Sequence, residues 1–261
     1  MRQCLIVIAL LVAATTSHAQ TVWPKGKSSA IVLTYDDALP SQLDIAIPQL
    51  DAARFKGTFF LSGRLTPSAL SRWQKAQRKG HELGNHSVNH PCPRAMLPDR
   101  PDHHADDYSV ERMLDEIASM NLALSAVDGR DSRTYSVPCS QMFVGGEDYT
   151  DALRRSKLVK YARTGGDAWK SVVIDATKLD VFQVPSYGPV DKPGADELIA
   201  YVERVRTARG LGVLQFHGVG SDYLEVTAEA HAALLKHLRK SSDIWVGTFQ
   251  DVMDYVTSHS R

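Results

Sequence analysis

The stretch Ala30-Ile-Val-Leu-Thr-Tyr-Asp-Asp37 constrains this chain more than any other. An aliphatic run followed by a β-branched Thr reads as a fully buried strand. It ends in two adjacent carboxylates. These repel each other, and an isolated buried charge is costly. Two Asp at the exit of an apolar strand therefore need a cation, water or hydrogen-bond donors. In a β/α barrel the strand exits are where active sites are built. The rest of the chain is accordingly searched for partners of Asp36 and Asp37.

After that strand, Ser41 is a candidate N-cap for a helix with apolar positions at Leu43, Ile47 and Leu50, interrupted by Pro48. Strands are predicted at 57–62, 134–137, 159–163, 213–217 and 245–248, with one or two short strands in 172–184. Helices are predicted from Thr66-Pro67 to about Lys79, from Ser109 along the stripe Val110, Met113, Ile117 and Leu124, and over 148–158, 195–209, 227–239 and 249–256. Strand and helix alternate throughout, the pattern of a parallel α/β protein, open or barrel. No repeat or linker interrupts residues 20–261, which form one domain.

The polar residues gather at predicted strand ends: Asp36 and Asp37, then His86 and His90, then Ser136–Ser140, then His217. His86-Ser-Val-Asn-His90 puts two imidazoles four residues apart, which share a face on a helical turn and can converge on one ion. The metalloprotease pattern HExxH is absent. A third ligand must come from elsewhere, with Asp36 or Asp37 the best candidate. A zinc-like ion acidifies bound water and polarises a carbonyl; the second Asp can then accept a proton and His217 can supply one. This describes metal-assisted hydrolysis of an acyl group.

In these blocks the chain resembles the polysaccharide deacetylases, the NodB-type carbohydrate esterases of family 4. Thr34-Tyr-Asp-Asp37, His86-Ser-Val-Asn-His90 and Leu214-Gln-Phe-His217 stand for the family's T-F-D-D, H-S/T-x-x-H and L-x-H blocks. The first has Tyr for Phe, and the last has one extra residue. Gly57-Thr-Phe-Phe60 and Gly80–His86 are also similar. The resemblance implies a distorted (β/α) barrel with fewer than eight regular units and hydrolysis of an N- or O-acetyl group on a carbohydrate. It implies Asp36 as base, His217 as acid, and Asp37, His86 and His90 as ligands of one divalent metal, zinc first, with cobalt or nickel also suited to such a site.

Two blocks depart. Tyr135-Ser-Val-Pro-Cys-Ser140 matches the family's R-P-P-Y/W-G block only at Pro138, and Ser136 stands where an Arg orients the base. A hydroxyl cannot replace a bidentate cation; Arg163 is the candidate substitute. The Cys139 backbone N–H keeps the oxyanion position, which needs no particular side chain. The Asp-Trp block is absent, and Asp191 lies in roughly its interval before His217. Two readings compete with deacetylation: a metal-retaining, carbohydrate-binding pseudoenzyme, and an amidohydrolase acting on a small cyclic amide.

Residues 1–19 read as a cleavable signal peptide, with Arg2, an apolar core over 5–14 and Ser17-His18-Ala19 before the cut. That implies a secreted or periplasmic protein. No later run is long and apolar enough to span a bilayer, so no stable membrane insertion is expected. Zero formal charge argues against a nucleic-acid partner. In an oxidising compartment Cys92 and Cys139 can pair; two buried thiols are the alternative. His103-His104 with Asp106-Asp107 reads as a solvated loop, His231 and His237 as surface or helix-end residues, and Trp245 as core, while Trp73 and Trp169 could stack on sugars.

Overall fold

The computed structural model describes residues 23–63, 65–99 and 102–259; the predicted signal peptide lies outside them. The strands in chain order are β1 (Ser29–Asp36), β2 (Thr58–Leu61), β3 (Glu82–Asn85), β4 (Thr134–Ser136), β5 (Phe143–Val144), β6 (Glu147–Asp148), β7 (Tyr161–Arg163), β8 (Leu211–Phe216) and β9 (Ile244–Gly247). The α-helices are α1 (Ile47–Ala53), α2 (Pro67–Arg78), α3 (Val110–Asp128), α4 (Thr150–Ser156), α5 (Ala195–Ala208), α6 (Ala228–Lys240) and α7 (Phe249–His259). β5 and β6 form a small antiparallel hairpin; the other seven strands make one parallel sheet in the order β7-β4-β3-β2-β1-β8, with β9 also on β1.

β1 pairs with β8 along one edge. Its other edge is shared, first by β9 at Ser29–Val32, then by β2 at Thr34–Asp36. The ring closes without a regular strand. Residues 181–187 cross from β7 to β8, with Val184 bridged to Arg163 and Tyr187 to Leu214. The result is a distorted (β/α) barrel.

Side-chain alternation divides the sheet into two faces. Ile31, Leu33 and Tyr35 of β1 pack outward with Leu43, Ile47, Leu198, Val202 and Leu234 from the helices. Ala30 and Val32 face inward with Phe60, Val184, Leu211 and Val213, and α7 plugs that end with Phe249, Val252 and Val256. A buried carboxylate, Glu82, opens β3 beside Thr58 of β2. It accepts from Thr58 Oγ1 at 2.7 Å, from Thr134 Oγ1, and from the Gln250 N–H at 2.9 Å. Burial pushes its pKa up, against those donors.

Local chemistry explains several helix starts. Thr66, Ser109 and Thr227 each accept an N–H three residues on, capping α2, α3 and α6. Ser41 does not cap as predicted. Its Oγ accepts the Val219 N–H at 3.1 Å, and the chain enters α1 through a π-turn, Gln42–Ala46, with Pro48 in the first turn of the helix that follows. The predicted strands in 172–184 are replaced by single bridges and a 3₁₀ turn, Ala176–Lys178, where Asp175 caps by accepting the Thr177 N–H.

Candidate active site

The inward face of the barrel carries the site. Counting by twos along β1 reaches Asp36; along β3 and one step beyond, His86; along β4, Ser136; along β7, Arg163; along β8, Gln215 and then His217. All lie at C-terminal strand ends, so the alternation that fills the interior with apolar side chains delivers polar ones at its mouth.

His86 Nε2 and His90 Nε2 each stand 3.6 Å from Asp37 Oδ1. That is too long for a hydrogen bond. It is close to the edge, about 3.4 Å, of a tetrahedron with bonds of about 2.0–2.1 Å to a zinc-like ion. The three residues form one group that could hold a metal. The Ser136 carbonyl lies 2.7 Å from His86 Nδ1 and can only accept, so the proton sits on Nδ1 and the Nε2 lone pair faces Asp37. The two histidines do not share a helical face as predicted. They converge through a tight turn in which Ser87 and His90 take positive φ.

Burial pushes the Asp37 carboxyl upward. His86, His90 and His217 around it, with the Tyr223 hydroxyl donating to Oδ2 at 2.6 Å, outweigh that and hold it at about 2. His217 Nε2 lies 3.8 Å from Asp37 Oδ2. Burial lowers the His217 pKa, outweighing the pull of Asp36 and Asp37.

Asp36 is 1% exposed and asymmetric. Its Oδ2 accepts from Arg163 Nη2, from Ser136 Oγ at 3.2 Å and from Gln215 Nε2 at 3.2 Å. Its Oδ1 has no hydrogen-bond partner among the described residues. Arg163 is itself buried and also donates to Ser136 Oγ and, at 2.8 Å, to Ser186 Oγ. Ser136 and Arg163 are register partners on β4 and β7. A guanidinium from the neighbouring strand thus reaches Asp36, with the small Ser136 leaving it room. Asp191 is placed apart. It is exposed in the loop before α5 and makes no hydrogen bond or ion pair with His217 among the described residues.

The Cys92–Cys139 disulfide, Cα–Cα 5.6 Å, ties the loop after His90 to the turn after β4. Cys139 and Ser140 in that turn have positive φ, as do Asp37 and Ala38. A left-handed non-glycine residue costs about 1–2 kcal/mol, so the surrounding packing must hold these turns in place. The cleft, about 460 Å³, is lined at its base by Asp36, Asp37, His86, His90 and His217, with Cys139 on its wall. Met96, Leu97 and Leu224 give it an apolar lip.

Three contributors escape a strand-end reading: Tyr223, Glu116 and His104; Gln215 lies at the end of β8 but belongs to no motif. Glu116, buried on α3, accepts the Asn89 N–H at 2.9 Å and Asn89 Nδ2 at 2.7 Å, bracing the turn before His90. His104, expected in a solvated loop, is 1% exposed and bridges Cys92. His231, expected at the surface, is fully buried between Tyr35 Oη at 2.7 Å and Gln49 Oε1 at 2.6 Å. Trp73 is core, while Trp169 is 75% exposed.

The same fold occurs in a Mycobacterium smegmatis structure described as a polysaccharide deacetylase (TM-score 0.66, 17% identity, 92% of this chain and 94% of that one). It also occurs in the carbohydrate esterase 4 domain of a xylanase from the hindgut metagenome of Trinervitermes trinervoides (0.59, 17%, 87% and 90%). A third case is a family 4 acetyl xylan esterase from Clostridium thermocellum (0.52, 16%, 89% and 96%). A polysaccharide deacetylase family model matches residues 24–156, just over half of the chain, and the chain belongs to that family. In sequence, 49 residues are 41% identical to the uncharacterized protein YlxY of Bacillus subtilis; they are 19% of this chain and span 15% of that relative.

Proposed function

We propose that this protein is an exported, divalent-metal-dependent hydrolase that removes acetyl groups from a carbohydrate, N- or O-linked. The observation that carries the reading is the pairing of two unlike carboxylates: Asp37 facing two imidazole nitrogens at 3.6 Å, and Asp36 fixed through one oxygen with the other unpartnered among the described residues. Asp37, His86 and His90 would hold the metal, which acidifies water and polarises the acyl carbonyl when bound.

The other groups have separate tasks. Asp36 Oδ1 takes the proton of the attacking water. Arg163, Ser136 and Gln215 occupy Oδ2, so the carboxylate is oriented for that purpose. Cys139 lines the cleft, and its backbone N–H would donate to the oxyanion that develops on the acyl carbon. His217 gives a proton to the departing sugar nitrogen or oxygen, and burial keeps its imidazole readily deprotonated again. Zinc suits the donor set, and cobalt or nickel fit it too. The disulfide accords with an oxidising compartment. No helix among the described residues is long and apolar enough to cross a membrane.

The contact of Arg163 with Asp36 weighs against the pseudoenzyme alternative, whose support is the Ser at 136 together with the missing Asp-Trp block. The test is acetate release by residues 20–261 from N-acetylglucosamine oligomers, peptidoglycan fragments and acetylated xylan. Each is assayed after chelation and after return of zinc, cobalt or nickel. Metal-dependent release from one substrate is expected, and Asp36→Asn should abolish it while metal binding persists. Full activity of that variant would sink the mechanism.

A further inference from the structure

The candidate metal triad and the disulfide share one side chain. His90 presents Nε2 to Asp37 Oδ1 at 3.6 Å and Nδ1 to Cys92 Sγ at 3.4 Å. His90, Cys92 and Cys139 form a second group whose ligand atoms all lie within 4.8 Å of one another. The disulfide closes this group, because the sulfurs are bonded to each other and the metal ligand is the thiolate. Opened, it offers two thiolates and an imidazole nitrogen, a softer donor set than two histidines and a carboxylate.

We propose that reduction of the Cys92–Cys139 disulfide opens a second metal site, Cys92-Cys139-His90, which competes with Asp37-His86-His90 for the shared imidazole. The competition, though not the thiolate site, rests on the metal-site reading given above. Its cause is the tautomer. A neutral imidazole carries one proton. A disulfide sulfur opposite Nδ1 can only accept, so the proton sits on Nδ1 and Nε2 is available to the triad. An ion held by both sulfurs and Nδ1 needs Nδ1 bare. The proton then moves to Nε2, and an N–H pointed at Asp37 cannot be a ligand there. One ion at the sulfur site therefore removes His90 from the other.

The motion required is small. Sulfurs bound to zinc at about 2.3 Å stand about 3.8 Å apart in a tetrahedron, within reach of side-chain rotation at the observed Cα–Cα of 5.6 Å. The redox step needs a thiol or phosphine reductant. With a dithiol, exchange leaves two protein thiols and the reductant's own disulfide. With a phosphine and water, the S–S bond breaks, both sulfurs gain a proton, and the phosphine becomes its oxide. Each thiol then releases its proton on binding the ion.

The test uses the full chain carrying Cys4→Ser, with Co²⁺ as probe. Oxidised protein should bind one Co²⁺ with visible d–d absorption and no thiolate-to-cobalt charge-transfer band. After treatment with a water-soluble phosphine, the charge-transfer band should appear and the stoichiometry should remain one. Asp37→Ala should keep the band in reduced protein, and His90→Ala should weaken it and shift its energy. Four outcomes would overturn the proposal: no band in reduced protein whose circular dichroism is unchanged; a band identical in His90→Ala; a second Co²⁺ bound alongside the first; or loss of the fold on reduction. Failure of the triad reading shows separately, as equal Co²⁺ binding by oxidised native and Asp37→Ala chains with the reduced-state band intact.

Discussion

Arg163→Met tests whether a cation from the neighbouring strand compensates the charge of Asp36. Both side chains are almost wholly buried, at 2% and 1% exposure. Removing one partner of such a pair leaves an uncompensated buried charge and costs about 3–5 kcal/mol. Arg163 also donates to Ser136, Ser186 and Gln215, so part of the loss has nothing to do with Asp36. A double-mutant cycle separates the two. In the Asp36→Asn background the neutral acceptors are still lost but the charge is gone. Arg163→Met should then cost about 2–4 kcal/mol less than it does beside the native Asp36. With a urea m-value of about 2–3 kcal/mol/M, the full penalty moves the unfolding midpoint by about 1–2 M. Urea titrations of the four proteins with chelator present keep metal binding out of the comparison. If Arg163→Met costs the same in both backgrounds, to within about 0.5 kcal/mol, Arg163 is packing rather than charge compensation and the orientation argument for Asp36 fails.

Further tests address other elements. The His231 pKa is held down near 3 by burial, so the unfolded chain takes up this proton first as pH falls below about 6.5. Its contribution is therefore a stability intact at neutral pH and lost on acidification, by about 1.4 kcal/mol per pH unit between pH 6 and 4; His231→Gln should flatten that slope in unfolding measured from pH 7 to 4.5. Tyr35→Phe leaves a buried imidazole nitrogen without its partner and should lower stability by about 1–3 kcal/mol with no effect on metal affinity. Tyr223→Phe removes a donor from Asp37 Oδ2 and should weaken zinc binding by about 10–100-fold against a chromogenic chelator. Glu116→Ala should also weaken binding by freeing the Asn89 turn, whereas Glu116→Gln, which keeps an acceptor, should recover part of the loss.

The residues that were legible in the sequence lie at or just past strand ends: Asp36, Asp37 and His217 after apolar runs, His86 and His90 as a His-x-x-x-His block. Asp36, Asp37, His86, His90 and His217 are local features, and alternation alone carries three of them inward, Asp36, His86 and His217. Arg163 was visible only as a candidate, because its contact with Ser136 spans 27 residues and depends on β4–β7 register. Asp191 was chosen by interval along the chain, a measure that fails once residues 181–187 have closed the ring and left the following loop exposed. Tyr223 and Glu116 come from a loop and a helix face, where sequence has no period that points at the site. His231 was misread because its partner, Tyr35, is 196 residues away.

The way β1 shares its edges sets an order of events for the newborn chain. The strand that leads into both carboxylates emerges early, yet its neighbours β8 and β9 begin only at Leu211 and Ile244. Joining ends so far apart carries the full loop-closure cost before any pairing repays it. During synthesis β1 can recruit β2 alone, over three residue pairs. Until the last fifty or so residues are made, its aliphatic face stays unsheathed and the two carboxylates have no barrel around them. A chain released early by truncation ahead of Ile244 should accordingly aggregate instead of yielding a weak enzyme.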